Sequence, residues 1–391
     1  MAKKRIGILT GGGDVPGLSI AIKSVVMDSI DHDYEVIGIR RGWLGLLGYD
    51  IDDQSTHDLY IRELTPNVVR RVDRAGGTFL HTSRTNPAKV RPEDTPEFLR
   101  DSAYGTVIDP ETGTKDYTDY VLKVIEQLNL DSLITIGGDD TLSFSSRLHK
   151  EGINLVAIPK TMDNDVLGTD YCIGFSTAIT RAVNHITYFR SSVGSHERIG
   201  VVELFGRNSG ETALITGYLS HVERTIICEV PFDLEKLVWM LDADKKANPS
   251  HYAIVVISEG AVPIGGHVMQ TGTPDAYGHR KLGGIGEMLS EKIKDITGNN
   301  TMYQRLGYLV RSGPADSLDR MVSMNFGLLA FQLTCKGDFG KLVGITDGNY
   351  SAVPIETVVS GKRHVNVDMY YDVDRYQPRI KSVLGLPMFL H

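Results

Sequence analysis

A short segment with two carboxylates, a lysine and a threonine has the composition of a site for phosphate chemistry. It covers residues 159–165, reads PKTMDND and directly follows the apolar run LVAI. Asp163 could accept a proton from a substrate hydroxyl, and Asp165 could orient it. Lys160 and Thr161 offer a cation and a hydroxyl to the charge on phosphate oxygens. An isolated DND is more often an Asx turn, but a strand, a lysine and a threonine before it favour a catalytic role.

Two glycine-rich turns occur earlier in the chain, and each follows a predicted strand. The first is Gly11 to Asp14, which reads GGGD, and the second is Gly137 to Thr141, which reads GGDDT. Glycines let the backbone approach a phosphate closely, and amides at the start of a following helix favour an anion. One of the paired carboxylates Asp139 and Asp140 could hold Mg²⁺, which prefers carboxylate and phosphate oxygens. The alternatives are a structural glycine turn and an N-cap aspartate beside a solvated one.

Composition narrows the class of protein. Neither glycine turn has the GxGxxG or GxxxxGK[ST] spacing, so a dinucleotide-binding oxidoreductase and a P-loop protein are poorly supported. The formal net charge of -8 gives no broad basic surface, which argues against nucleic acid or an anionic membrane as a partner. The three cysteines are far apart, and no apolar segment has the length of a signal sequence or a membrane span. We therefore expect a cytoplasmic globular protein.

The elements that must position these residues alternate between short strands rich in Val and Ile and longer segments of helical period. This pattern predicts an α/β fold with a mostly parallel sheet. The predicted strands are Ile6 to Thr10, Val36 to Ile39, Ser132 to Ile136, Leu155 to Ile158, Gly200 to Leu204, Ile226 to Val230, Ala253 to Ile257 and Leu306 to Val310. The predicted helices include Leu18 to Ile30, Tyr120 to Leu128, Leu142 to Leu148, Ser176 to Phe189, Leu234 to Leu241 and Leu318 to Leu333. Residues 86–115 and 261–280 are predicted to be surface loops or insertions.

Seven motifs, in this order along most of the chain, make the sequence similar to the phosphofructokinase family. They are GGGDVPG, GGTFLHTSR, GGDDT, PKTMDND, HERIGVVELFGR, ISEG and LGYLVRSG. The tail after Arg320 and the two predicted loops match the family less well. The resemblance implies two Rossmann-like three-layer domains with the active site in the cleft between them. It places the phosphate donor on residues 1–174 with about 310–348, and the acceptor sugar phosphate on residues 175–309 with about 349–391.

The same resemblance implies a role for each matching residue. The donor site would consist of Gly12, Gly13, Arg84, Asp140 and Thr141, with Asp139 as the ligand of a Mg²⁺ cofactor. The catalytic group would consist of Asp163 as the base, Asp165 and Thr161 as its assistants, and Lys160 and Arg207 beside the transferring phosphoryl group. The acceptor site would consist of Arg198, Phe205, Gly206, Glu259, Tyr308 and Arg311. In the family the arginine matched by Arg198 reaches in from a neighbouring subunit, which implies a homodimer or homotetramer with shared active sites.

Two charged side chains bear on the identity of the donor. Family members that use ATP resemble GGDG and PGT at the positions where this chain has Asp140 and Lys160. A carboxylate about 4 Å from a phosphate charge costs roughly 4 kcal/mol at an effective dielectric of about 20, which disfavours the inner phosphate of a nucleotide. Lys160 would add attraction for pyrophosphate. We therefore predict a pyrophosphate-dependent enzyme, with ATP as the alternative donor because Trp43 lies where ATP users often carry an aromatic residue.

The acceptor prediction rests on a less complete match. Tyr308 stands where the family usually has histidine, and Val310 where it has glutamine. Met302 takes the place of an arginine, Phe205 that of a methionine, and Arg305 is three residues out of register. Fructose 6-phosphate is the expected acceptor, in a reaction of glycolysis that yields fructose 1,6-bisphosphate, and sedoheptulose 7-phosphate is an alternative. A catalytically silent regulatory subunit is disfavoured because the catalytic carboxylates are intact.

Overall fold

The computed structural model describes residues 3–271, 278 and 280–384. In the first part of the chain the strands are β1 (Lys4–Thr10), β2 (Tyr34–Ile39), β3 (Ile61–Leu64), β4 (Thr106–Asp109), β5 (Thr114–Asp116), β6 (Ser132–Gly137) and β7 (Leu155–Pro159). The helices there are α1 (Leu18–Ser29), α2 (Trp43–Leu47), α3 (Gln54–Tyr60), α4 (Pro66–Val69), α5 (Thr118–Gln127) and α6 (Asp139–Lys150). Short 3₁₀ helices cover Ile30–His32, Val72–Arg74, Pro92–Asp94, Glu97–Leu99, Gly307–Arg311 and Ile355–Val359.

The second part of the chain repeats the alternation of strand and helix. Its strands are β8 (Ile199–Leu204), β9 (Arg224–Ile226), β10 (Ala253–Ser258), β11 (Gln270–Thr271), β12 (Lys281–Leu282), β13 (Thr301–Arg305), β14 (Lys341–Thr346), β15 (Asn349–Pro354), β16 (Tyr371–Asp372) and β17 (Gln377–Pro378). Its helices are α7 (Phe175–Ser195), α8 (Glu211–Ser220), α9 (Leu234–Ala247), α10 (Ile285–Thr297), α11 (Ser317–Lys336) and α12 (Val367–Tyr370).

Two open sheets form the framework, as the α/β prediction requires. The larger has seven strands in the order β15-β14-β7-β6-β1-β2-β3, of which only the two outermost run antiparallel to their neighbours. The smaller has four parallel strands in the order β13-β8-β10-β9. Strands β6, β7, β8 and β10 are buried along their whole length, because helices cover both faces of each sheet.

The core of the larger sheet continues into the core between the two sheets. Ile8 and Ile136 on its inner face belong to one cluster of buried side chains with Val202 and Ile254 of the smaller sheet. Helices α7 and α11 lie between the sheets and contribute to the same cluster. The strand ends that face each other are therefore held by continuous apolar packing.

Two predicted strands are wrong. Residues 306–310 do not form a strand, because Gly307 adopts a positive φ of 44° and the segment winds into the 3₁₀ helix Gly307–Arg311. The edge strand of the smaller sheet is β13, just before it, whose residues are half-buried and give no apolar run. The strand predicted over residues 226–230 is displaced toward the N-terminus, since β9 ends at Ile226.

The loop predicted over residues 86–115 is more ordered than its turn-rich composition indicates. It carries two 3₁₀ turns and the antiparallel hairpin β4–β5. Val90 and Leu99 are buried in the core beneath helix α5, so the segment is anchored rather than a free insertion. Part of the other predicted loop, at residues 272–277 and 279, lies outside the described residues.

The expected boundary at residue 348 needs correction. Asp347 and Gly348 have positive φ values of 50° and 76° and form a tight turn between β14 and β15. Strand β15 therefore folds back onto the larger sheet, which extends to residue 354. In the parts of the chain that are described, no helix combines the length and apolarity needed to span a bilayer.

Candidate active site

The carboxyl ends of the two sheets face each other across a cleft of about 640 Å³. In the larger sheet the strand order reverses at β1 and β6, which is where open α/β sheets bind ligands. Every predicted site residue lines this cleft except Arg198 and Gly206. We call the part formed by loops after β1, β6 and β7 the donor end, because the residues predicted to bind the donor lie there, and the part formed by loops after β8, β10 and β13 the acceptor end.

The two glycine turns lie side by side at the donor end because β1 and β6 are parallel neighbours. The Gly11 amide donates a hydrogen bond to the Ile136 carbonyl at 2.9 Å. Thr141 packs over both turns, so that a Cβ placed on Gly11 would lie 2.5 Å from Thr141 Oγ1. Gly12 has a φ of 78°, in the left-handed region that glycine adopts without strain. Gly11 and Gly12 therefore have no room or no suitable backbone conformation for a side chain, and the backbone itself forms the wall of the cleft here.

Lys160 is buried at the donor end with 4% of its surface exposed. Its Nζ donates a hydrogen bond to the Gly13 carbonyl at 2.6 Å. Burial, together with the nearby charges of Arg311 and Arg84, lowers the pKa of Lys160 to about 8. The cationic side chains of Lys160, Arg311 and Arg84 thus lie close together, and an anion bound among them would reduce their mutual repulsion. This cluster could bind a compact anion.

The turn that carries Asp163 and Asp165 is held by the asparagine between them. Asn164 is fully buried and has a φ of 56°, a conformation that Asn tolerates better than most residues. Its Nδ2 donates to the Asp170 carbonyl at 2.9 Å, and its Oδ1 accepts from the Cys172 amide at 2.7 Å. These bonds fix the backbone on both sides, so the two carboxylates project from a rigid turn into the cleft.

Asp163 has the electrostatic environment of a general base. Its Oδ1 is buried and has no hydrogen-bond partner in the part of the chain that the structure describes. Burial is the main cause that raises the pKa of Asp163 well above its usual value, and the charges of Asp165 and Glu259 add to it. Hydrogen bonding and charge from Arg207 oppose the shift. A carboxylate with a raised pKa and a free oxygen is suited to accept a proton from a substrate hydroxyl.

Asp139 begins helix α6 and presents one paired and one unpaired oxygen. Its Oδ2 lies 2.9 Å from Lys362 Nζ, whereas no described residue forms a hydrogen bond with the buried Oδ1. Burial, followed by the charge of Asp165, raises the pKa of Asp139 to about 6, and Lys362 opposes the shift. Among the described residues, no group of three or more His, Cys, Asp or Glu side chains could hold a metal. Mg²⁺ usually takes one or two carboxylates plus substrate phosphates, so the unpaired oxygen fits Mg²⁺ that arrives with a phosphate donor.

The acceptor end contains an arginine that the sequence comparison had placed out of register. Arg305 is the last residue of β13, and its Nη2 lies 3.2 Å from Glu259 Oε2. Its Nε also lies 3.1 Å from Oε1 of Glu203, a fully buried residue of β8. The Glu259 carboxylate and the Arg305 guanidinium together offer an acceptor and donors to a polyhydroxylated ligand.

Two aromatic rings and an arginine form the outer wall of the cleft. Phe205 and Tyr308 make an edge-to-face contact with centroids 5.9 Å apart, and Tyr308 is 60% exposed. The Arg311 guanidinium lies 4.6 Å from the Tyr308 ring and makes a 3.4 Å ion pair with Asp14. It is also 2.7 Å from the point where a Cβ on Gly13 would stand. Arg311, predicted for the acceptor, therefore also touches the donor turn.

Arg198 and Gly206 lie outside the cleft for different reasons. Gly206, with a φ of 136°, lies behind its neighbours, and its carbonyl accepts a hydrogen bond from Ser258 Oγ at 2.6 Å. Arg198 precedes β8, whereas the cleft residues Phe205 and Arg207 follow it. The six residues of β8 separate the two ends by about 20 Å, too far for an arginine side chain.

Sequence reasoning missed three polar residues of the cleft. Asn208 donates to Asp165 Oδ2 at 3.1 Å, and its place directly after Arg207 is the signal that could have found it. Arg305 was left out of the acceptor site because it lies three residues out of register with the arginine of the family. Lys362 belongs to the tail, where the resemblance is weak and nothing local marks it.

Two mostly parallel α/β sheets with a polar, charged cleft at their carboxyl ends define the class of protein, and the comparisons identify the family. A family model described as phosphofructokinase matches residues 5–334. The pyrophosphate--fructose 6-phosphate 1-phosphotransferase of Amycolatopsis methanolica is 35% identical over 95% of this chain and 98% of its own length. The ATP-dependent 6-phosphofructokinase of Chloroflexus aggregans is 34% identical over 90% of both chains.

The fold agrees with these sequence relatives. The crystal structure of a pyrophosphate-dependent phosphofructokinase from Marinobacter aquaeolei superposes with a TM-score of 0.73, covering 99% of this chain and 97% of that chain at 16% identity. The chain belongs to the phosphofructokinase family and is a phosphotransferase of that family.

Proposed function

We propose that this enzyme transfers a phosphoryl group from pyrophosphate to the 1-hydroxyl of fructose 6-phosphate. The products are fructose 1,6-bisphosphate and phosphate. The reaction runs in both directions, because pyrophosphate and fructose 1,6-bisphosphate, the donors of the forward and reverse reactions, transfer a phosphoryl group with similar free energy. The observation that carries the proposal is the buried Lys160, which occupies the donor end of the cleft and bonds to the Gly13 carbonyl.

Two further observations favour pyrophosphate over ATP. Asp140 lines the same end of the cleft, where its charge would repel the inner phosphate of a nucleotide. Trp43, the candidate surface for stacking an adenine, is only 1% exposed; its indole packs against Phe144 and donates to the Thr141 carbonyl at 3.3 Å. It therefore supports the core beneath helix α6 and leaves no ring face for a nucleotide.

The chemistry follows from the groups that meet in the cleft. The acceptor hydroxyl oxygen attacks the nearer phosphorus of the donor, Asp163 takes the hydroxyl proton, and the bridging oxygen leaves with the departing phosphate. Lys160 and Arg207 would stabilise charge on the phosphoryl oxygens during transfer. Mg²⁺ held by Asp139 would supply further neutralisation of the donor's oxygens. Asp165, fixed by Asn208, would keep Asp163 oriented.

The acceptor assignment relies on the other end of the cleft. Glu259 and Arg305 would bind sugar hydroxyls, and Arg311 would bind the terminal phosphate through its planar guanidinium. Because Arg198 lies away from its own cleft, we propose that it completes the acceptor site of a neighbouring subunit in a homodimer or homotetramer. Sedoheptulose 7-phosphate is the alternative acceptor, since Tyr308 leaves an open, aromatic wall rather than a closed pocket.

One assay tests the donor and the acceptor together. Purified enzyme is offered pyrophosphate or ATP with fructose 6-phosphate or sedoheptulose 7-phosphate, and bisphosphate formation is coupled to a second enzyme. We expect turnover with pyrophosphate and fructose 6-phosphate and none with ATP. ATP is the second candidate because an ATP-dependent relative matches at nearly the same identity. Strong turnover with ATP and none with pyrophosphate would refute the proposal.

A further inference from the structure

Residues 361–364, which we call the strap, carry the chain from the larger sheet to the smaller one. Ile355, just before it, still packs in the core of the larger sheet, whereas Tyr370, just after it, packs in the core of the smaller sheet. Lys362 in the strap pairs with Val166 through an isolated antiparallel bridge. The strap thus runs along the segment that follows the turn with Asp163 and Asp165. It lies outside residues 5–334, which the family model matches.

The residues after Lys362 anchor the strap on both sides of the cleft. The Arg363 amide donates a hydrogen bond to the Asp165 carbonyl at 3.0 Å. The Arg363 guanidinium makes a 2.5 Å ion pair with Glu211, which is buried. His364 Nδ1 lies 2.6 Å from the Asn208 carbonyl. Because the strap backbone is fixed at these points, the Lys362 side chain leaves it at a defined place and reaches Asp139. The side chain is partly exposed, so its ammonium can also turn away from Asp139.

Lys362 places its ammonium group at Asp139, the carboxylate that is predicted to bind the metal. Its Nζ lies 2.9 Å from Asp139 Oδ2, and its side chain is 34% exposed. Asp139 also feels the charges of Asp165 and Asp140, which surround it with negative potential. A divalent cation bound to Asp139 would lie within a few ångströms of the ammonium, and like charges at that distance repel strongly.

We propose that Lys362 competes with Mg²⁺ for Asp139, so that the metal binds tightly only together with the diphosphate donor. This inference rests on the proposed function, because it takes Asp139 as the metal ligand. Without the donor, the ammonium neutralises Asp139 and repels a second cation. With the donor bound, phosphate oxygens supply further ligands to the metal and a new partner for the displaced ammonium. The affinities for metal and donor are then coupled, and each raises the other equally.

The test measures Mn²⁺ binding by electron paramagnetic resonance, with no turnover involved. Wild-type enzyme and Lys362→Met are titrated alone and with saturating imidodiphosphate, a diphosphate that is not hydrolysed. We expect Lys362→Met to bind Mn²⁺ about tenfold more tightly than wild type when imidodiphosphate is absent. With imidodiphosphate the two affinities should be similar, so the coupling factor should fall by about tenfold in the variant.

Three variants serve as controls. Lys362→Arg keeps a cation at the strap and should retain the wild-type coupling. Lys246→Met removes an equal charge from a lysine that pairs with Asp242 at 2.6 Å on helix α9, outside the cleft, and should change Mn²⁺ affinity by less than about twofold. Asp139→Asn should weaken Mn²⁺ binding whether or not imidodiphosphate is present.

The outcomes separate the inference from the proposed function. If Lys362→Met binds Mn²⁺ with unchanged or lower affinity while Asp139→Asn weakens it, Lys362 is not a competitor and only this inference fails. If Asp139→Asn binds Mn²⁺ as wild type does, the metal is elsewhere, and both the inference and the metal assignment fail. Turnover with pyrophosphate is measured separately and decides the donor independently of either result.

Discussion

At the residue scale, the proposed chemistry depends on one carboxylate oxygen, Asp163 Oδ1. It is buried and has no hydrogen-bond donor among the described residues, and such an oxygen costs free energy unless a ligand uses it. Replacing Asp163 by Ser should lower kcat by about 10²- to 10⁴-fold, the range for a positioned base, with acceptor KM nearly unchanged. Steady-state kinetics with varied fructose 6-phosphate measures both constants. A loss of about tenfold or less would remove Asp163 from the role of base.

The pH profile provides a second residue-scale prediction. Asp163 must be ionised to accept a proton, so kcat/KM should fall as pH drops through its raised pKa. The charge of Asp165 contributes to the raised pKa of Asp163, so Asp165→Asn should lower that pKa. The acid limb of the profile, where kcat/KM falls with falling pH, should then move to lower pH. Asp73→Asn, outside the cleft and paired with Lys23, should leave the limb in place. A shift toward higher pH in Asp165→Asn would contradict the assignment.

Donor selection also belongs to single side chains. Asp140→Gly should raise kcat/KM with ATP by about 10- to 1000-fold, because it removes both a charge and a side chain beside the inner phosphate. Asp140→Asn keeps the size and removes the charge, so comparing the two variants separates repulsion from lack of space. Kinetics with ATP as the varied donor provides the measurement. No rise in either variant would mean that Lys160 or the packing around Trp43 excludes the nucleotide instead.

At the element scale, helix α7 links the two sheets and begins at a buried carboxylate supplied by another helix. Asp319 of α11 is fully buried and accepts hydrogen bonds from the Gly174 and Thr177 amides, both at 2.8 Å. It also accepts one from the Tyr171 hydroxyl at 2.6 Å. The first turn of α7 is thus capped by a residue more than 140 positions away in the chain.

Removing this cap should destabilise the whole protein. Asp319→Ala leaves several buried donors without a partner, and we expect it to lower the free energy of unfolding by about 3 kcal/mol. Urea denaturation followed by circular dichroism measures the change. Asp338→Ala, at an exposed position paired with Lys341, is the matched control and should change stability by less than about 0.5 kcal/mol. Equal effects of the two substitutions would show that the cap contributes nothing.

At the scale of the whole molecule, the role proposed for Arg198 predicts active sites shared between subunits. Because Arg198 lies at the opposite end of β8 from the cleft of its own chain, we propose that it serves the active site of a neighbouring chain. Arg198→Ala and Asp163→Ser should each be nearly inactive alone. After dissociation and reassociation of an equal mixture, half of the dimers are mixed, and each mixed dimer has one intact site, so about a quarter of wild-type activity should return. No recovery on mixing would mean that Arg198 does not act across subunits.

The sequence alone determined the parts of the site that are local in the chain. PKTMDND and the two glycine turns each lie at the end of a buried, β-branched strand, and parallel strands bring their carboxyl ends to the same edge. The α/β class and the grouping of Lys160, Asp139 and Asp163 in one cleft could therefore be predicted. Prediction failed at β13, because an edge strand with half-buried residues has no apolar pattern to mark it.

Only the tertiary structure decided which residues join the site from a distance. Lys362 reaches Asp139 from more than 200 residues away, and Arg305 of β13 reaches Glu259, which follows β10, across the intervening strand β8. Trp43 is buried by packing against Phe144 rather than exposed to a ligand. Long-range contacts of this kind depend on how helices and sheets pack in three dimensions, and local composition and periodicity carry no information about that packing.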